Sequence, residues 1–277
     1  MGESHQHCRS GPMMRSTSLP TTLRIAITSR RLLKVIAGLT NLDSVAVLKI
    51  ARAAAAGGAD LVDIACEPAL VRAVAEACPQ LPICVSAVDP DLFPAAVAAG
   101  AAMVEIGNFD AFYPQGRIFG AEEVLELTRR TRTLLPEVVL SVTVPHVLPL
   151  DQQEQLAVDL VAAGADLIQT EGGTSARPFS AGSLGLIEKA APTMAAAHAI
   201  SRALAFACVD PLPVLCASGL SAVTVPMALA SGAAGVGVGS AVNRLSDELA
   251  MVAVVRGLRE AIDAVAPVAA LSQRRSV

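Results

Sequence analysis

The sequence predicts an α/β protein built as a single (β/α)8 TIM barrel, and three observations carry that prediction. Short apolar runs of strand length alternate with alanine-rich stretches of helical period along the chain. The runs are of two kinds, one opened by glycine and one by proline, and the two kinds themselves alternate. Eight such units fit into roughly 230 residues without a change of composition, the size of one barrel domain. A doubly wound open sheet also explains the alternation. It does not explain the two-strand repeat, and no GxGxxG follows the first strand.

The elements follow in order. "LLKVIAGL" (32–39) reads as the first strand, and Asp43 or Ser44 caps a helix running to about Ala56. "GGADLVDIA" (57–65), "GAAMVEIG" (100–107), "GADLIQT" (164–170) and "GAAGVGVG" (232–239) form the glycine kind. Each glycine suits the left-handed C-cap of the preceding helix, and the apolar run behind it suits a strand buried on both faces. "LPICVSAV" (81–88), "LPEVVLSVT" (135–143) and "LPVLCASG" (212–219) form the proline kind, where proline opens a strand without breaking its ladder. Between them, Asp89 or Pro90 opens a helix to Ala99, residues 121–134 show helical spacing, and Asp151 opens a helix to Ala163. The expected organisation is a disordered or transit-like tail at 1–33, a barrel at 34–264 and a C-terminal tail at 265–277.

Composition narrows the function classes. Hydrophobic residues make up 53% of the chain and charged residues 17%, enough for a large core. A net charge of −4 argues against nucleic acid as a partner, and no apolar stretch has the unbroken length of a membrane span. The expected partner is a phosphorylated small molecule, with self-association left open. Six cysteines, at 8, 66, 78, 84, 208 and 216, include no CxxC pair, so buried thiols rather than a zinc site are expected. Residues 1–34 carry six basic side chains against Glu3 alone and are rich in Ser and Thr. That pattern suits a transit segment, a disordered tail, or translation starting nearer Met13 or Met14.

Polar residues inside apolar strands mark the barrel interior, because a charge facing the helix layer is costly. They are Asp63, Ser86, Glu105, Ser141, Thr143, Gln169 and Ser218, all late in their strands, toward the catalytic end of this fold. Glu105 is the leading acid–base candidate, with a structural carboxylate satisfied by backbone N–H groups or Arg117 as the alternative. Asp63 is a second candidate, one residue deeper. His146 after strand five and Glu171 after strand six join them as catalytic candidates. Gly172 and Gly173 allow close backbone approach, and Arg177 could meet an anion. Lys34 falls at the start of strand one, and Lys49 and Lys189 read as helical, so a Schiff-base aldolase is not expected. No dedicated metal site is expected, although Asp63, Glu105 and Glu171 could converge on one.

The strand ends Ser218-Gly219 and Gly237-Val238-Gly239-Ser240 fall where such barrels commonly bind phosphate, and a short helix near Ser240 would face the anion. Tight packing is the alternative use of those glycines. Phe109, Phe112, Tyr113 and Phe119 crowd the loop after strand four, either to cover a ring system or to form a small core of their own.

The stretches "EIGNFDAFYPQG", "LSVTVPH", "IQTEGG", "LGLIEKAAPT" and "CASGLSAVTVPMALASGAAGVGVGSAV" resemble the Ycf23 family of cyanobacteria and algal plastids, over about residues 34–262. The resemblance implies an aldolase-type or flavin-linked phosphate-binding barrel and supplies no reaction. It also implies a cytoplasmic setting, or the plastid stroma if residues 1–33 are a transit peptide. Three functional readings follow. One is an isomerase or lyase without a Schiff base. Another is a barrel binding flavin mononucleotide (FMN), with Gln169 or Ser86 on the ring. The third is a regulatory protein that binds a metabolite without turnover.

Overall fold

The computed structural model describes residues 19–208 and 210–265. Eight parallel strands close into one barrel in sequence order, β1 pairing with β8. They are β1 Leu32–Gly38, β2 Leu61–Ala65, β3 Ile83–Ala87, β4 Met103–Ile106, β5 Val139–Thr143, β6 Leu167–Gln169, β7 Val214–Ala217 and β8 Gly235–Val238. A helix, α1 Thr21–Thr28, precedes β1. Seven helices lie along the βα units: α2 Ser44–Gly57, α3 Pro68–Ala77, α4 Phe93–Ala98, α5 Ala121–Leu134, α6 Leu150–Ala163, α7 Gly182–Ala207 and α8 Val225–Ala230. A single turn, α9 Ser240–Asn243, and α10 Glu248–Asp263 follow β8.

Local chemistry sets the boundaries. Asp43 caps α2 by accepting from the N–H groups of Val45 and Ala46 at 3.0 and 3.2 Å. Gly58 ends α2, and Gly164 ends α6, in the left-handed region. The predicted start of α6 at Asp151 shifts by one residue, with Pro149 in the cap position.

Side chains alternate between the two sides of the barrel wall. Leu33, Val35, Val62, Val85, Val104, Leu140, Ile168 and Val236 face outward into the main core with the helices. Leu32, Leu61, Cys84, Met103, Val139, Leu167 and Leu215 form a second apolar cluster with Leu19, Leu23, Ala26 and Ile27. The last three belong to α1, which closes the floor of the barrel. The body therefore reaches upstream of residue 34, because an open floor would leave that apolar layer wet. Residues 1–18, with Cys8, and 266–277 lie outside the described residues.

Candidate functional site

Above the floor layer, the interior turns polar. Lys34 pairs in register with Leu61, two residues before Asp63 on its strand, and its long stem carries the ammonium upward. The Nζ lies 2.7 Å from Glu105 Oε2, 3.0 Å from Asp63 Oδ2 and 3.0 Å from Gln169 Oε1. Its place on the strand puts Lys34 at the far end from the mouth, but the length of the side chain makes it the centre of this layer. Burial alone would lower its pKa, but Asp63 and Glu105 override that and hold the ammonium well above the usual lysine range. It is therefore a fixed cation, not an amine nucleophile.

Glu105 is wholly buried and receives four donors. Oε2 accepts from Lys34 Nζ and from Ser141 Oγ at 2.7 Å, and Oε1 from Gln169 Nε2 at 2.6 Å and Asn108 Nδ2 at 3.2 Å. Burial raises its pKa and Lys34 pulls it back, while the all-donor surroundings are those of an ionised carboxylate. Asp63 accepts from Ser86 Oγ at 2.6 Å and from Asn108 Nδ2 at 3.3 Å. Asp63, Glu105 and Gln169 thus interlock beneath the mouth, and none of the three lines the cavity above. Arg117 is not their partner, as it pairs with Glu123 and lies over the Phe119 ring.

A cavity of about 240 Å³ opens at the carboxyl ends of the strands. Ser218, Gly219, Gly239 and Ser240 line it together with Glu171, Asp110 and Asn108. Ser218 and Gly219 both have positive φ, +79° and +74°, so the chain reverses tightly after β7. A Cβ on Gly219 would come within 2.7 Å of Gly173 Cα and 2.9 Å of Lys189 O. Gly173 would collide with Ser218 O at 2.4 Å, and Gly172 would press on His146 Cβ at 3.2 Å. Gly172 and Gly173 therefore bring two loops together and do not line the cavity. Gly237 also lies off it, within the barrel, where a Cβ would stand 2.8 Å from that of Ala217. Lys189, a helical residue as its sequence setting predicts, also runs its stem beside the Gly219 turn.

Opposite that turn, Glu171 is 3% exposed and draws donors from three residues on two loops. Tyr113 OH and both the backbone N–H and Nδ1 of His146, each of the latter at 3.1 Å, converge on Oε1, while Asp110 N–H reaches Oε2 at 3.3 Å. Facing a carboxylate, Nδ1 carries the proton. Burial pushes Glu171 above the ordinary carboxylate range despite these donors. The Glu171 hydrogen bond in turn raises His146. Asp110 Oδ2 accepts from Ser218 Oγ at 3.1 Å, which ties this wall to the glycine wall. Sequence reasoning missed the roles of Asn108, Asp110 and Tyr113, whose positions in an irregular loop no periodicity marks.

Among the described residues two groups could offer a metal three ligand atoms within 4.8 Å of one another: Asp63, Cys84 and Glu105, and Asp110, His146 and Glu171. The Lys34 ammonium already fills the first. In the second, a cation would have to break the His146–Glu171 hydrogen bond. Glu171, which could have converged with Asp63 and Glu105, belongs to the other group. Burial raises the thiols of Cys66, Cys78, Cys84 and Cys216 above the ordinary range, Cys216 up to about 11, which keeps them unreactive. The aromatic loop packs on itself, Phe109 stacking on Phe119 at 4.4 Å with Phe112 at its edge. Only Tyr113 turns to the polar wall. The cavity is smaller than the roughly 300 Å³ at which sites for drug-sized ligands start, and among the described residues no aromatic ring lines it. Two larger grooves, about 570 and 590 Å³, run along α6 and α7 and beside α1, away from the carboxyl ends of the strands.

The fold is a closed (β/α)8 barrel with its cavity at the carboxyl ends of the strands. Solved structures with the same fold include a 3-hexulose-6-phosphate synthase (TM-score 0.58, 17% identity, covering 83% of this chain and 99% of that one). Another is the thiamine phosphate pyrophosphorylase from Pyrococcus furiosus (TM-score 0.54, 16% identity, 86% and 98% covered). The family model described as "Protein of unknown function (DUF561)" matches residues 19–267. The Ycf23 proteins of Cyanophora paradoxa and Porphyra purpurea are 43% and 37% identical, covering 80% and 83% of this chain and 89% and 84% of theirs. The chain belongs to the Ycf23 family.

Proposed function

We propose that the protein is an enzyme acting on a phosphorylated small molecule. The observation that carries this reading is one cavity with two unlike walls. On one side the Ser218-Gly219 and Gly239-Ser240 turns offer backbone at close range, with the Lys189 stem alongside, which suits a phosphate. On the other side Glu171 faces the cavity with a raised pKa, which suits proton transfer to or from the ligand. His146 and Tyr113 stand behind Glu171 and hold it in place. The reaction class is isomerisation or carbon–carbon cleavage without an imine, since Lys34 is locked as an ammonium. Glu105 and Asp63, the first candidates from sequence, act beneath the mouth as counter-charges to Lys34.

The test is to purify the protein without added ligand and identify released small molecules by mass spectrometry. A phosphorylated metabolite is expected, turned over by the wild type and bound but not converted by Glu171→Gln. A Glu171→Gln variant with unchanged turnover would remove Glu171 from the chemistry. Flavin absorbance with released FMN would replace the proposal by the flavin reading.

A further inference from the structure

Asn108 touches both the buried charge layer and the cavity. Its Nδ2 donates to Glu105 Oε1 at 3.2 Å, Asp63 Oδ2 at 3.3 Å and Ser86 Oγ at 3.3 Å. Turning the amide over would set its oxygen against two carboxylates, so its orientation is fixed. The layer beneath holds two carboxylates against one ammonium, an excess negative charge that makes the reversed amide costlier still. The Oδ1 on the far side of that amide accepts no hydrogen bond among the described residues, and Asn108 is half-buried against the cavity. Its backbone, at φ 61° and ψ 49°, is in the left-handed region that asparagine tolerates, and its N–H is held by Thr143 Oγ1 at 3.4 Å.

This wall presents the open acceptor Asn108 Oδ1 beside the carboxylates of Asp110 and Glu171, which already accept from Ser218 and from Tyr113 and His146. A ligand whose phosphate lies on the glycine turns would meet them with its other end. An acceptor-lined wall rejects a bare alkyl or carboxylate group and suits a hydrogen-bond donor. We infer that Asn108 is a specificity-determining residue that accepts a hydrogen bond from a ligand hydroxyl, so that the ligand is a polyhydroxylated phosphate ester. This rests on the phosphate reading above and names the chemistry of the ligand's other end.

The test uses three probes, inorganic phosphate, n-propyl phosphate and glycerol 3-phosphate, the last two differing only by two hydroxyls. Calorimetric titration of the wild type is expected to show glycerol 3-phosphate binding about tenfold tighter than propyl phosphate, the worth of one or two net hydrogen bonds. Asn108→Gly removes the amide while tolerating the left-handed backbone, and is expected to bring the two esters to equal affinity with phosphate binding unchanged. Asn108→Ala, checked for folding by circular dichroism, should do the same if glycine loosens the loop. Equal binding of both esters by the wild type, or a preference that survives in both variants, would overturn the assignment while phosphate binding still stood. If none of the three binds, the phosphate reading itself falls, and this inference with it.

Discussion

Lys34 shows how a single residue can organise a site without lining it. Its ammonium is balanced by Asp63 and Glu105, all three almost fully buried. Breaking such a cluster strands a charge, so Lys34→Met is expected to cost about 3–5 kcal/mol of stability, read by urea denaturation. Lys34→Met with Glu105→Gln should recover part of that loss. A Lys34→Met protein as stable as wild type would mean that the carboxylates find other partners. His146 gives a pH signature. Its pKa is raised by the Glu171 hydrogen bond, so its contribution is complete below the ordinary value of 6.5 and is lost as pH rises through the higher folded value. The stability margin of wild type over His146→Gln should therefore shrink as pH rises above 6.5, and a margin that grew with pH would contradict the pairing. At this scale the sequence is only partly legible. Alternation along strands puts Asp63, Glu105 and Gln169 inside, but the reach of a lysine stem and the turn of Asn108 into the mouth follow from three-dimensional placement.

Elements are far more legible than their contacts. Strand positions follow from repeated glycine and proline punctuation, and all eight runs contain a strand of the barrel. The exception is α1, hidden in a stretch whose basic and hydroxyl residues look like a tail. Its Leu23, Ala26 and Ile27 recur at helical spacing and seal the floor. Leu23 is fully buried there, so Leu23→Ala should destabilise the protein by about 2–5 kcal/mol, measured by thermal or denaturant unfolding. An effect near zero would mean that α1 is not needed to close the barrel. The glycine turns are legible as turns but not as to which glycine does what. Gly173 and Gly219 pack backbone against backbone. Gly239, at φ −110°, borders the cavity, and the nearest atom to a Cβ placed on it would be Ile36 O at 3.4 Å. Gly239→Asp should leave stability nearly unchanged and abolish phosphate binding through like charge, whereas Gly173→Ala should destabilise the fold. Denaturant unfolding and calorimetric phosphate titration of both variants check this pair.

Across the whole molecule, the barrel is layered along its axis. An apolar floor under α1 supports a sealed layer of charges, and that layer orients the polar wall of a small cavity at the other end. No helix among the described residues is long and apolar enough to cross a membrane. The family is established by likeness across nearly the whole chain. The phosphate reading puts an anion on the Ser218-Gly219 and Gly239-Ser240 turns. It is tested most directly by titrating inorganic phosphate into the isotope-labelled protein and following backbone amide signals by NMR. Saturable shifts centred on Gly219 and Ser240, absent in Gly239→Asp, are predicted. Shifts confined to basic surface residues elsewhere, or no saturable shift at all, would contradict the account.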